Sequence, residues 1–363
     1  MRSAGRAVAA LALLGVLATS GCGDGDDARA AATTPSAENL ARAATDRFLD
    51  RYLAADGRVV RRDQGGDTVS EGQAYAMLLT AAAGDGVRFD RVWKWTRAHL
   101  QRPDGLLSWR YGDGRVADPQ PATDADLDAA QALVLAGQRF SRSDLRAAGA
   151  RIAAAVLDHE TATGDDGGRL LVAGPWAVAG RIVNPSYFSP RAYTALAATG
   201  RAAEWAQLAQ QALAPAATAL PPDWASATTA TLARPLAGPA LASAGPPRYG
   251  FDAVRVAIRM GAACDAPSRA VAGRLWPALS GSDAGLLPRR LDGPPAGGAT
   301  RNAVALVGAA GAARGAGRPA DVTRLLDAAS KQDSATPSYY GAAWVALGRV
   351  LLTTDLAGRC PSS

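Results

Sequence analysis

From Ser36 onward, apolar residues recur three and four positions apart along almost the whole chain. That is the period of helices burying one face. Ser36 precedes Leu40, Ala44, Phe48 and Tyr52 and stands where a helix cap belongs. Ser70 bears the same relation to Tyr75, Leu78, Leu79 and Ala82, and Phe89, Val92, Trp93, Thr96 and Leu100 make a third stripe. The pattern continues over residues 127–140, 145–157, 190–199 and 202–213, and again over 252–263, 268–279, 302–311, 320–329 and 338–352. It predicts about a dozen helices and few strands. Residues 214–250 and 281–299 are dense in Pro and Gly and read as long loops within one domain. Helices of this length, joined by loops of mixed length, suit an all-α barrel or toroid. No strict sequence period marks a solenoid of repeats.

Before residue 36 the pattern changes. Arg2 and Arg6 precede an apolar run over residues 7–19, too short to span a bilayer as a mature helix. The run ends in Thr19-Ser20-Gly21-Cys22, small residues followed by a cysteine. This resembles the lipobox of bacterial lipoproteins, with Thr19 where a leucine is usual. The expected organisation is a lipoprotein signal peptide over 1–21, a polar flexible tether over 22–37 and one folded domain over 38–363. Lipid on Cys22 would hold the exported protein at a membrane. An ordinary secretory signal cut nearby is the alternative. With Cys22 lipidated, Cys264 and Cys360 are left together in an oxidising compartment. A disulfide between them and two unpaired thiols both remain open, because sequence does not give their separation.

Composition narrows the chemistry. The net charge is +6. The basic residues are nearly all Arg, with Lys94 and Lys331 the only lysines, and they are scattered among acids rather than clustered. That argues against nucleic acid as a partner. Two histidines, His99 and His159, give little basis for a histidine-rich zinc site or a Ser-His-Asp triad. There is neither a CxxC pair nor a phosphate-binding GxxxxGK[ST] loop. A monomer is expected.

Four blocks bear acids where helices start or loops run: Glu71 in 69–75, Asp124, Asp126 and Asp128 in 122–128, Asp223 in 220–224 and Asp252 in 249–255. Taken singly, each acid is as well explained as a helix cap or first-turn anion. Between the blocks lie Trp93, Trp95, Trp109, Trp176 and Tyr187, and after them Tyr339 and Tyr340. Aromatic faces stack on sugar rings, and two carboxyls can flank a glycosidic bond as acid and base.

Taken together and in order, the blocks resemble glycoside hydrolase family 8. The segments are SEGQAYAMLL (70–79) with FDRVWKWTRAHL (89–100), ATDADLDAAQAL (122–133), Asn184-Pro185-Ser186-Tyr187-Phe188, Pro221-Pro222-Asp223-Trp224, FDAVR (251–255) and the pair Tyr339-Tyr340. The resemblance runs from about Asp63 to Leu352. It implies an (α/α)6 barrel that hydrolyses β-1,4 glycosidic bonds with inversion and needs no cofactor. Carried over by position, it makes Glu71 the general acid, Asp252 the general base and Asp124 the residue holding the sugar at the scissile bond. Arg255 would lie near the base, and Trp109, Trp176, Tyr187 and Tyr340 would contact sugar. The expected substrate is a β-1,4-linked polysaccharide or oligosaccharide, cut in the endo manner of a cellulase. Xylan or chitosan is the alternative within the family, and a non-catalytic glycan-binding lipoprotein the alternative outside it.

Two departures stand out. Phe251 precedes the base where the family usually has Tyr, and Ala76 stands where Gly is common. One tension is physical. Glu71 would sit in the first turn of a helix, where the dipole favours its anion, whereas a general acid must hold a proton. A compensating influence is expected, either apolar walls or the negative charge of Asp124 close by.

Overall fold

Two kinds of helix alternate along the chain. α1 (Ala37–Tyr52) and α3 (Gly86–His99) carry an apolar stripe with charges opposite, while α2 (Ser70–Ala83) and α4 (Thr123–Arg139) are buried nearly all round. The alternation runs on through α5 (Ser143–His159), α6 (Pro190–Ala197), α7 (Ala202–Ala212), α8 (Val254–Gly261), α9 (Ala266–Arg274), the short α10 (Trp276–Leu279), α11 (Ala303–Gly315), α12 (Pro319–Ala335) and α13 (Tyr339–Thr353). A helix with no polar face has to be surrounded. Accordingly 13 of the 15 residues of α13 are buried, against 5 of the 17 of α12. This computed structural model describes residues 35–213, 218–229, 232–236, 238 and 246–360.

The buried helices form a closed ring. α2, α4, α6, α8, α11 and α13 each pack on the next, and α13 returns to α2. Outside them, α1, α3, α5, α7, α9 and α12 each cover one or two of the ring helices. Six outer–inner hairpins make the (α/α)6 barrel that the resemblance implied. Residues 36–363 form one compact unit. The expected signal peptide, Cys22 and all of the tether up to residue 34 lie outside the described residues.

The ring helices all run the same way through the barrel. Their carboxyl ends leave carbonyls that no helical N–H can reach. Arginines supply the missing donors: Arg139 bonds Ala82 O and Arg42 bonds Ala83 O at the end of α2. Arg191 bonds Ala262 O after α8, and Arg314 bonds Leu352 O in α13. At the same end a disulfide joins Cys264 to Cys360, with Cα atoms 5.2 Å apart. The amino ends of α2, α4, α8 and α13 meet at the opposite end.

Three local expectations are corrected. Ser36 and Ser338 cap α1 and α13, but Ser70 does not cap α2. It is the first helical residue, and its buried hydroxyl has no hydrogen-bond partner among the described residues. α8 begins at Val254 rather than at Asp252. Finally, the connections are not plain loops. Antiparallel ladders are made by β1 (Thr68–Val69) with β2 (Arg110–Gly112) and β3 (Arg115–Asp118), by β4 (Thr161–Thr163) with β5 (Arg169–Leu171), by β6 (Ile182–Val183) with β7 (Trp224–Thr229) and β8 (Leu232–Leu236), and by β9 (Leu286–Arg289) with β10 (Pro295–Arg301). The last two ladders fill the stretches expected to be loops. Their strands are two to seven residues long and rich in Ala, Gly and Pro. Such strands offer no sustained alternation to detect.

Candidate active site

Glu71 reaches the end of the barrel because β1 runs straight into α2. The Ser70 amide donates to Trp109 O at 2.8 Å, which ties the junction to the segment leading into β2. Gln73, buried one turn further in, donates to Gly57 O and Thr96 Oγ1 and accepts from Val59 N. Gly72, between Glu71 and Gln73, packs closely on α13: a Cβ there would come within 2.3 Å of Tyr339 Oη. The start of α2 is thus clamped against the start of α13, and the Glu71 carboxylate accepts a hydrogen bond from Tyr75 Oη.

Asp124 lies in the first turn of α4 and is buried. It is not a cap, since Oδ1 bonds only the adjacent Ala125 N and Oδ2 points at Arg255. Asp252 is not a cap either. It sits in the turn of residues 250–253 that leads into α8, and Arg255 follows in the first turn of that helix.

Arg255 draws the three acids together. Its Nη1 lies 3.0 Å from Glu71 Oε1 and 2.6 Å from Asp124 Oδ2, and its Nη2 lies 2.8 Å from Asp252 Oδ1. The two terminal nitrogens of a planar guanidinium stand about 2.3 Å apart, so these bonds leave the Glu71 and Asp252 oxygens no more than about 8 Å apart. The second negative charge expected beside Glu71 is present as Asp124, with a cation between the two that sequence reasoning did not place there. The cavity beside Glu71 is about 410 Å³ and is lined by Arg61, Gln64, Asn302 and Tyr340 as well as Phe251 and Asp252.

The electrostatics raise both aspartates of the cluster. Burial pushes Asp252 up to about 6, helped by the charges of Asp223 and Asp124 and opposed by Arg255. Burial likewise raises Asp124 to about 6, with Arg255 opposing and Glu71 adding to the rise. Removing a carboxylate from water disfavours its charged form, and neighbouring acids add to the cost.

The aromatic residues fall into two groups. The Tyr187 ring lies 5.4 Å from the Arg255 guanidinium, Trp224 lies 6.1 Å from Tyr187, and Trp176 lies 6.2 Å from Trp224. This file leads from the buried cluster to the surface, where Trp176 is 39% exposed. On the other side Tyr340 Oη donates to Phe251 O at 2.8 Å, and its ring meets the Phe251 ring edge-on at 6.3 Å. Like Tyr187 and Trp176, Trp109 is not among the residues lining the cavity beside Glu71. Its ring lies under Arg110, and its carbonyl holds Ser70. Sequence reasoning placed Asp223 and Trp224 in one acid block without giving either a role. The available signal was the Pro221-Pro222 lead, which holds the two residues on a stiff approach to β7.

The comparisons agree with this architecture. The profile of Glycosyl hydrolases family 8 matches residues 28–346. A probable endoglucanase of Novacetimonas hansenii is 37% identical over 227 residues, 58% of this chain and 64% of that protein. An endoglucanase of Cellulomonas uda is 29% identical over 231 residues, 60% of this chain and 62% of that protein. The chain therefore matches less than two-thirds of the length of these two relatives. Among solved structures, an endo-beta-1,4-glucanase from Acetobacter xylinum superposes with a TM-score of 0.70 at 27% identity, covering 86% of this chain and 97% of that one. A family 8 endoglucanase from Klebsiella pneumoniae gives 0.68 at 25% identity, covering 84% and 97%.

Proposed function

Because the chain belongs to family 8 of the glycosyl hydrolases, we propose that it is an exported, endo-acting β-1,4-glucan hydrolase. Glu71 protonates the leaving glycosidic oxygen, Asp252 activates the attacking water, and Asp124 holds the sugar ring at the scissile bond. One observation carries the assignment: a single buried guanidinium gathers these three carboxylates from three distant parts of the chain, and two of them, Glu71 and Asp252, line one cavity.

The reaction inverts the anomeric centre. Inversion needs room for water between the base and the sugar, with carboxyls about 6.5–9.5 Å apart. The ceiling of about 8 Å set by Arg255 is compatible with that spacing. The state of Asp252 supports its role, because a base raised toward 6 accepts a proton more readily than an ordinary aspartate. The aromatic file of Tyr187, Trp224 and Trp176 supplies flat apolar faces for a glucan chain. Export and a lipid on Cys22 rest on the basic and apolar leader and the small residues before the cysteine.

The test is reducing-sugar release from carboxymethylcellulose, mixed-linkage glucan, xylan and chitosan. Glucan cleavage with mid-chain products is expected, and NMR of the first product should show the inverted anomer. Glu71→Gln and Asp252→Asn should each lose about 10²–10⁴-fold in kcat. Full activity in both variants, or retained configuration, would overturn the assignment of roles. Preference for xylan or chitosan would overturn the substrate. Membrane association that survives Cys22→Ala unchanged would overturn the anchor.

A further inference from the structure

The side chain taken as the base is not on a helix. Gly250, Phe251, Asp252 and Ala253 form a turn, and the regular hydrogen bonding of α8 starts only after it. A catalytic carboxylate has to be held to within about half an ångström, so some other group must fix this turn. Resting on the assignment of Asp252 above, we propose that Asp223 is its positioning residue, clamping the turn at both ends.

The contacts are direct. Asp223 Oδ1 accepts from Gly250 N at 2.8 Å and from Ala253 N at 2.8 Å, bridging the residues on either side of Phe251 and Asp252. The fit allows no side chain at position 250, where a Cβ would come within 2.4 Å of Asp223 Oδ2. Asp223 is itself fixed. It is buried, its amide donates to Arg248 O at 2.8 Å, and β7 begins at the next residue. Just upstream of the turn, Tyr249 exchanges backbone hydrogen bonds of 3.0 and 2.9 Å with Arg289 in β9. On the far side, Tyr340 Oη holds Phe251 O. The turn carrying the base is therefore gripped from two hairpins and from α13, and Asp223 makes the only side-chain bonds to its amides among the described residues.

A neutral asparagine could accept the same two hydrogen bonds, so the charge of Asp223 has a consequence of its own. Asp252 faces Arg255 at 2.8 Å, the amide of Asn184, and the carboxylates of Asp124 and Asp223. Asp223 in turn faces Arg248, with Nε 3.6 Å from Oδ2, as well as Arg255 and the two amides. A negative charge behind the base makes its own ionisation harder and its hold on a proton firmer. Asp223 is thus placed to set both where Asp252 points and over what pH range it works.

Two substitutions separate these effects, assayed on the full chain with a soluble cello-oligosaccharide across pH. Asp223→Ala removes the clamp and should lower kcat about 10²-fold with KM nearly unchanged. Asp223→Asn keeps the acceptor and removes the charge. It should keep most of the wild-type kcat while the acidic limb of kcat/KM moves to lower pH. A folded Asp223→Ala protein with wild-type kcat would overturn the proposal, and so would an Asp223→Asn protein whose acidic limb stays in place. If the alanine variant fails to fold, the limb of the asparagine variant decides alone. Asp252→Asn is measured alongside. Full activity there would remove the assignment of the base and this proposal with it, whereas an inactive Asp252→Asn beside an unaffected Asp223 pair would sink this proposal only.

Discussion

Glu71 and Asp124 bond to the same nitrogen, Nη1 of Arg255, at 3.0 and 2.6 Å. The other terminal nitrogen holds Asp252, so one guanidinium, 2% exposed in its side chain, serves three acids. Removing it would leave like charges crowded together and partly buried. Arg255→Met is expected to destabilise the fold by about 3–5 kcal/mol, measured by urea unfolding at pH 7. Arg255→Lys should recover little, because one ammonium cannot occupy both ends of the fork. A lysine variant as stable as the wild type would contradict the view of Arg255 as a three-way tie.

The pH dependence of activity follows from the proposed base. Asp252 has to be ionised to take a proton from water, and it is raised to about 6. The rate should therefore climb with pH through about 6, not through the ordinary aspartate range near about 4. Replacing Asp124 by Asn removes one of the charges that raise Asp252, so the remaining activity should show its acidic limb at lower pH. An initial-rate profile on a soluble substrate tests both statements. A wild-type limb near pH 4 would remove the electrostatic part of the proposed mechanism.

A second pair of acids bears on stability rather than turnover. Asp126 and Glu160 are fully buried, and Asp126 Oδ2 and both Glu160 oxygens have no hydrogen-bond partner among the described residues. Burial raises both groups well above their ordinary values, and the charge of Asp126 adds to the rise at Glu160. A carboxyl held neutral in the fold contributes stability that is complete below its unfolded value and is lost as pH rises toward the folded one. Each pH unit in that window costs about 1.4 kcal/mol. Glu160→Gln needs no proton, so it should melt higher than wild type at pH 8 and at nearly the same temperature at pH 4. Thermal melts that show the reverse order would mean that the glutamate is ionised in the fold.

The disulfide lies at the far end of the ring helices from the cluster. Cys264 and Cys360 close a loop of 96 residues, for which chain entropy gives about 4–5 kcal/mol of stabilisation. Cys264→Ser combined with Cys360→Ser should lower the melting temperature while leaving kcat near wild type below the melt. A large fall in kcat with the melting temperature unchanged would show that the tail acts on the site.

Much of the barrel is legible in the chain because helical burial is written locally. The stripe of Leu40, Ala44, Phe48 and Tyr52 belongs on an outer helix, and the almost wholly apolar run after Tyr339 belongs on an inner one. Ser36 is legible as a cap for the same reason. Ser70 misleads, because a strand feeds directly into α2 and leaves no cap position for it. The short hairpins are not legible, because their partners are distant and their side chains small.

The chain by itself determined the helix order, the family, and the residues Glu71, Asp124, Asp252 and Arg255, since motifs and periodicity reside in neighbouring positions. Only the tertiary structure decided that Arg255 stands between the three acids and that Asp223 bonds the turn of Asp252 at both ends. Each of these depends on ring helices and hairpins far apart in sequence meeting at one end of a closed barrel. Distances across such a closure are set by packing, which no local pattern encodes.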